Sequence, residues 1–280
     1  MKKRGFGSAF ARNRLGIVGL CGVAAFMLMG LLAPLLAQYP KGYGTELMMS
    51  PSFAHPFGTD GLGLDIMAQI IWGARTSLYV SFVAVLLAFS IGVPAGLVSG
   101  YFKGVPGAVI DTLIDVFLTL PVLPLIIVIA AVIGSSIGNV AVVIGLFSWP
   151  SLARVTRNAT LRVSEMQFIE AARCLGIKKP AILFKHILIV IIGPILVNLT
   201  LIMATSVLSE AGLSFLGLGD PSTWSWGTII KKAWDAGAII DTPNPYWWWF
   251  APSMAIVLYV VCFNLLGNAI NDALNPKSRD

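Results

Sequence analysis

The sequence predicts an all-α, polytopic membrane protein with six transmembrane helices, and three observations carry that expectation. Only 11% of the 280 residues are charged and 57% are hydrophobic, whereas about a quarter of an ordinary soluble domain is charged. The apolar residues fall in six blocks of about 20, the length a helix needs to cross a hydrocarbon core. Lys and Arg are distributed unevenly between those blocks, the charge bias that orients membrane chains.

The first block covers roughly 15–38, behind the basic start MKKRGFGSAFARNR. It exceeds the apolar core of about 7 to 15 residues found in signal peptides and ends without an A-x-A site, so it reads as an uncleaved helix. The second to sixth blocks cover 77–101, 109–134, 138–157, 185–208 and 247–270. The third carries Asp111 and Asp115 one turn apart on one face, near its inner end. They mark either a polar cavity or a pair contacting neighbouring helices or the basic inner loops. Glu210 is expected just past the fifth block, near the outer surface. Trp247–Trp249 open the sixth block and read as an interfacial aromatic belt. No internal repeat or low-complexity tract is present.

With the N-terminus inside, the outer loops hold only Lys41, Arg75, Lys231 and Lys232, leaving 15 of the 19 Lys and Arg in inner segments. Both termini are therefore expected in the cytoplasm, with the chain multi-pass in the cytoplasmic (inner) membrane. The net charge of +6 follows from this topology. Anionic membrane lipid is its simplest partner, and no basic, aromatic-studded domain exists to bind nucleic acid.

Catalytic and metal readings find little support. His55 and His186 fall on opposite sides of the membrane, and no G-x-S-x-G, H-E-x-x-H or G-x-x-x-x-G-K-[ST] occurs. Cys21, Cys174 and Cys262 have neither ligand spacing nor a disulfide framework and read as packing residues. Ion-coupled transport needs ionisable groups at the midplane, and the spans are nearly free of them. No catalytic residue, no metal site and no cofactor on this chain are expected.

The segment NATLRVSEMQFIEAARCLGIKKPAILF, residues 158–184, lies between the fourth and fifth blocks. Ser164 and Gln167 have the spacing of a capping box. The helix expected over 165–175 is about 16 Å long, and Gly176 is placed to end it in the left-handed conformation. Phe168, Ala171, Ala172 and Leu175 form one apolar face, with Glu170 and Arg173 on its flank as an i,i+3 pair. Two alanines at its centre let another surface approach closely. Such a helix rests on lipid, packs on its own protein or fits a partner's groove; these residues alone leave the three open.

EAARCLG, residues 170–176, resembles the EAA loop of ABC importer permeases. Three further stretches are similar, in order, to the dipeptide, oligopeptide and nickel subfamily: HPFGTDGLGLDIMAQIIWGARTSL (55–78), SFLGLGDPSTWSWGTII (214–230) and WWWFAPSMAIVLYVVCFNLLGNAINDALNP (247–276). The resemblance implies a type I ABC importer permease fold. Residues 1–75 would form an N-terminal segment with the first helix and outer loop, 76–270 the transmembrane domain, and 271–280 a cytoplasmic tail. It also implies that Glu170, Ala171, Ala172, Arg173 and Gly176 couple the chain to a separate ATPase. Glu170 would contact the ATPase surface, the alanines permit close docking, and Gly176 sets the turn into the fifth span. Ser214, Gly217, Gly219, Trp224 and Trp226 are implied in the translocation path or in docking of a binding protein.

The implied partners are a second permease subunit, making a heterodimer, two ATP-binding subunits that hold ATP and Mg, and an extracytoplasmic substrate-binding protein. The implied solute is a di- or oligopeptide, with nickel or oligosaccharide import by the same mechanism as the alternative. An ion-driven secondary transporter using Asp111 and Asp115 and a non-transporting scaffold are the rivals from other classes. Two departures from the subfamily stand out: Leu64 where arginine is common, and Ile189 where proline often follows, with Gly193-Pro194 further on.

Overall fold

The computed structural model describes residue 10, residues 13–240 and residues 245–274. The cations Lys2, Lys3, Arg4, Arg12, Lys277 and Arg279 lie outside the described residues. Helix α1 (Arg14–Leu31) starts at Asn13, whose side chain accepts a hydrogen bond from the Gly16 amide, and a short turn, Ala33–Leu36, follows it. Helix α2 (Ile66–Tyr101) has 36 residues and begins well before the expected start at 77. Asp65 caps it by accepting from the Ala68 amide. At 1.5 Å per residue α2 is about 54 Å long, and the segment 55–78 is helical from Ile66 onward. The expected boundary at 75/76 falls inside it.

The third block is not one straight helix. Helices α3 (Val105–Thr119) and α4 (Val122–Ile133) meet at 85°. Leu120 precedes Pro121 and is held extended (ψ 140), because a proline ring disfavours the helical region for the residue before it. Pro121 also lacks the amide that would continue the helix. Helix α5 (Ile137–Ser164), α6 (Gln167–Cys174), α7 (Leu188–Phe215), α8 (Trp226–Asp235) and α9 (Tyr246–Leu274) complete the order. Between α6 and α7 run a single turn, Lys179–Ala181, and a π-helical turn, Ile182–Ile187. Ile189 lies just after that wide turn, within α7, and α7 continues through Pro194. Glu210 lies within α7, not beyond it.

Among the described residues five runs are long and apolar enough to cross a membrane: α1, α2, α5, Lys179–Phe215 and α9; the bent α3–α4 pair makes a sixth if taken as one broken span. Among the described residues the sole β feature is an isolated Thr59–Asp65 bridge. Helices α2 and α5 pack most closely, along Gly92, Gly96 and Gly100. A Cβ at Gly96 would lie 2.5 Å from the Ala153 carbonyl, so only glycine lets the backbones meet there, as membrane helix pairs require. A second core joins Phe26, Trp226 and Tyr259, whose rings stack edge to face with centroids 5.5–5.7 Å apart.

Asp111 and Asp115 contact the neighbouring helix. Asp111 lies 2.7 Å from both Nε and Nη2 of Arg157, and Asp115 pairs with Arg154. Pairing is what makes carboxylates tolerable within a span. The Asn13 amide donates to Asp272 at 3.1 Å, so the start of α1 and the end of α9 lie at one end of the bundle. The antiparallel order of spans places α6 at that end and α8 at the other.

Candidate functional site

Helix α6 differs at its start from the expected design and agrees at its finish. Ser164 is the last residue of α5, and its hydroxyl donates to the Leu161 carbonyl at 2.9 Å. The N-cap is Met166, which has no side-chain capping bond, and Gln167 is the first helical residue. At the other end Gly176 takes φ +72. The Ile177 amide donates to Ala172 (3.1 Å) and the Gly176 amide to Arg173 (3.0 Å), a Schellman-type closure that needs a left-handed residue.

The apolar face is split in two. Ile169 and Ala172 are buried among Val163, Ile182 and Leu183, and this contact holds the helix, since eight residues are too few for a helix to persist alone. Phe168, Ala171 and Leu175 point outward, with Leu175 79% exposed. Such apolar exposure at positions i, i+3 and i+7 is the pattern of a helix that fits a groove. The expected Glu170–Arg173 pair does not form. Arg173 donates from Nε to the Tyr101 hydroxyl at 3.2 Å and from Nη2 to the Ser164 carbonyl at 3.3 Å. Glu170 stays exposed beside a cleft of about 730 Å³ lined also by Lys103, Arg173 and Lys179.

At the opposite end the second group of expected residues converges on one junction of α2, α7 and α8. The Ser214 hydroxyl donates to Glu210 Oε1 at 2.6 Å, and the Ser77 hydroxyl to Oε2 at 3.3 Å. Gly217 takes φ +85 just beyond the end of α7, and Gly219 returns the chain over Ser214. Trp226 donates to the Ile70 carbonyl at 3.1 Å and Trp224 to that of Pro40 at 2.8 Å. Ser225 and Thr228 form a full capping box on α8. Lys232 stacks 3.5 Å from the Trp224 ring centroid; burial pulls its ammonium below the usual lysine range, with Asp60 acting in the other direction. Ser214, Gly219, Trp224 and Trp226 are buried, and Trp226 is 0% exposed. The side chains of Ser214, Trp224 and Trp226 thus pack into the junction from within, while Gly217 is exposed. Trp248 is likewise buried in the core, not in an interfacial belt.

Two features escaped the sequence reading. Tyr101 and Phe102, at the end of α2, receive the cations of the α6 loop, and nothing local marks them. The Ser77–Glu210–Ser214 cluster had a partial signal in Ser214 standing four residues after Glu210. Among the described residues no group of three His, Cys, Asp or Glu could hold a metal ion.

A bundle of membrane-length apolar helices with a short, partly exposed amphipathic helix at one end defines a membrane-embedded protein. The chain belongs to the family described as binding-protein-dependent transport system inner membrane component, whose model matches residues 92–280; these are ABC importer permeases. Residues 5–51 match the N-terminal TM domain of oligopeptide transport permease C. The dipeptide transport system permease protein DppC of Alkalihalophilus pseudofirmus is 36% identical over 271 residues, covering 96% of this chain and 88% of the relative. The glutathione transport system permease protein GsiD of Pectobacterium atrosepticum is 36% identical over 282 residues, covering 98% and 91%. Among solved structures, a chain of the MetNI methionine ABC transporter in an inward-facing conformation superposes with a TM-score of 0.60. It is 21% identical, and the match covers 75% of this chain and 98% of that one. The fold is therefore the type I permease fold.

Proposed function

We propose that this chain is the permease subunit of an ABC importer that moves di- or oligopeptides across the inner membrane, driven by ATP hydrolysis on partner subunits. The observation that carries the reading is α6, an exposed helix whose outward residues Phe168, Ala171 and Leu175 are left uncovered by its own bundle. The solute class is supported by relatives named for dipeptide and glutathione transport.

In this reading the α6 end faces the cytoplasm, together with both termini. A second permease subunit completes a heterodimer, two ATP-binding subunits lie beneath it, and an extracytoplasmic binding protein delivers solute at the α8 end. ATP and Mg are held by the partners, and this chain hydrolyses nothing. Closure of the ATPase pair carries α6 with it: Phe168 and Leu175 sit in the ATPase groove, Ala171 permits the approach, and Glu170 meets the groove's rim. The spans then exchange inward- and outward-facing arrangements. The driving energy is the difference in nucleotide affinity between the two states, because a ligand shifts such an equilibrium only by its differential binding.

The test is purification of the tagged chain from mildly solubilised native membranes, followed by reconstitution with whatever accompanies it. Co-purification of a G-x-x-x-x-G-K-[ST] protein and a second multi-span chain, with ATP-dependent uptake of a labelled dipeptide, is the expected result. Uptake that ignores ATP and stops when an ion gradient is collapsed would overturn it. ATP-driven uptake of nickel or an oligosaccharide, without peptide, would overturn the solute class alone.

A further inference from the structure

The loop that carries α6 is tied to the far end of α2 through two aromatic rings. Tyr101 is the last residue of α2 and Phe102 follows it, their ring centroids 5.3 Å apart and nearly perpendicular. The Phe102 amide still bonds the Val98 carbonyl at 3.0 Å, so both rings ride on the last turn of the helix. Arg173 of α6 places its guanidinium 4.9 Å from the Tyr101 centroid while donating to the hydroxyl of the same ring. Lys179, three residues beyond Gly176, places its ammonium 5.4 Å from the Phe102 centroid. One cation thus arrives from each side of the Gly176 turn. Both rings and both cations line the cleft of about 730 Å³, while on their other side the rings pack against the core around Val163, Ile169 and Ile182.

We propose that Tyr101 and Phe102 form a two-cation clamp through which motion of the α6 loop becomes motion of α2. The inference rests on the function proposed above. Both are positioning residues, acting through Arg173 and Lys179 and touching neither solute nor nucleotide. Cation–ring attraction is weak for a single exposed pair, but two contacts on adjacent residues oppose both a pull and a twist. Helix α2 is suited to the task because its other end reaches the junction at Ser77 and Glu210. One continuous helix, with Pro94 inside it, therefore links the junction to the α6 loop.

The experiment uses the full complex with its partner subunits and binding protein in liposomes, measuring ATP hydrolysed, dipeptide taken up, and the amount of ATPase subunit retained. In Tyr101→Leu/Phe102→Leu the ATPase subunits stay bound and ATP is still hydrolysed, while peptide moved per ATP falls about fivefold as both ring contacts are lost. Lys179→Gln removes one cation without disturbing the rings, and a fall of about twofold is expected. Peptide moved per ATP at the wild-type value in the double variant would overturn the clamp. If the double variant does not assemble, Lys179→Gln decides, and a wild-type ratio there overturns the clamp equally. A wild-type complex with no ATP-driven uptake would instead defeat the proposed function, so the two failures are distinguishable.

Discussion

Glu170 and Gly176 allow the sharpest single-residue tests because their substitution leaves the bundle untouched. Glu170 is exposed and Arg173 is engaged with Tyr101, so Glu170→Lys reverses a charge on α6, the helix proposed to dock, without breaking an internal pair. The expected outcome is normal amounts of chain in the membrane with uptake lost and ATP hydrolysis uncoupled from it, read by transport and ATPase assays on one preparation. Gly176→Ala acts through the backbone alone: an added Cβ meets nothing within 4 Å, but φ is +72. Holding alanine there costs roughly 1 kcal/mol, so retention of the ATPase subunit should weaken by about fivefold with no change in the melting of the spans. Gly176 was legible in the sequence because a left-handed helix end is a local demand that few residues meet. The Ser164 cap was misread because burial of Val163 and Ser164 against the bundle carries α5 past the local signal. The partner of Arg173 lies 72 positions away in the chain, and spacing within the loop could not reveal it.

The elements divide in the same way. Apolar length found the spans, since every membrane-length run corresponds to an expected block. Length alone could not show that α3 and α4 meet at 85°, although Leu120-Pro121 carries the reason. The ion pairs between α3 and α5 explain why Asp111 and Asp115 sit in an apolar segment. Asp111→Asn would leave Arg157 without its carboxylate partner between helices, and leaving a half-buried polar group unpaired costs about 1–3 kcal/mol. The expected result is a clear drop in the unfolding temperature in detergent, with partial recovery in Asp111→Asn/Arg157→Gln. If the first variant melts like wild type while uptake loses a dependence on an ion gradient, the pair belongs to coupling and not to packing.

At the scale of the whole molecule, the orientation proposed here is testable with the native cysteines. Cys174 is exposed on α6, whereas Cys21 and Cys262 lie within spans. A membrane-impermeant maleimide should label Cys174 in inside-out vesicles and not in right-side-out cells, and the reverse pattern would invert the topology. The π-helical turn Ile182–Ile187 adds a consequence concerning tolerance to changes in chain length. A π-turn is wound with about one residue more than the α-helix around it, and that surplus is absorbed locally. The run Lys179–Phe215 therefore has one place where a residue can be lost while the faces on either side stay in phase. Deleting the exposed Phe184 should leave α6 facing its partner and the ATPase subunit retained. Deleting Leu201, also exposed but inside α7, turns everything beyond it by about 100° and should abolish assembly. Length is negotiable at the π-turn and fixed in the span, so variation in the number of residues between α6 and the bundle belongs at 182–187.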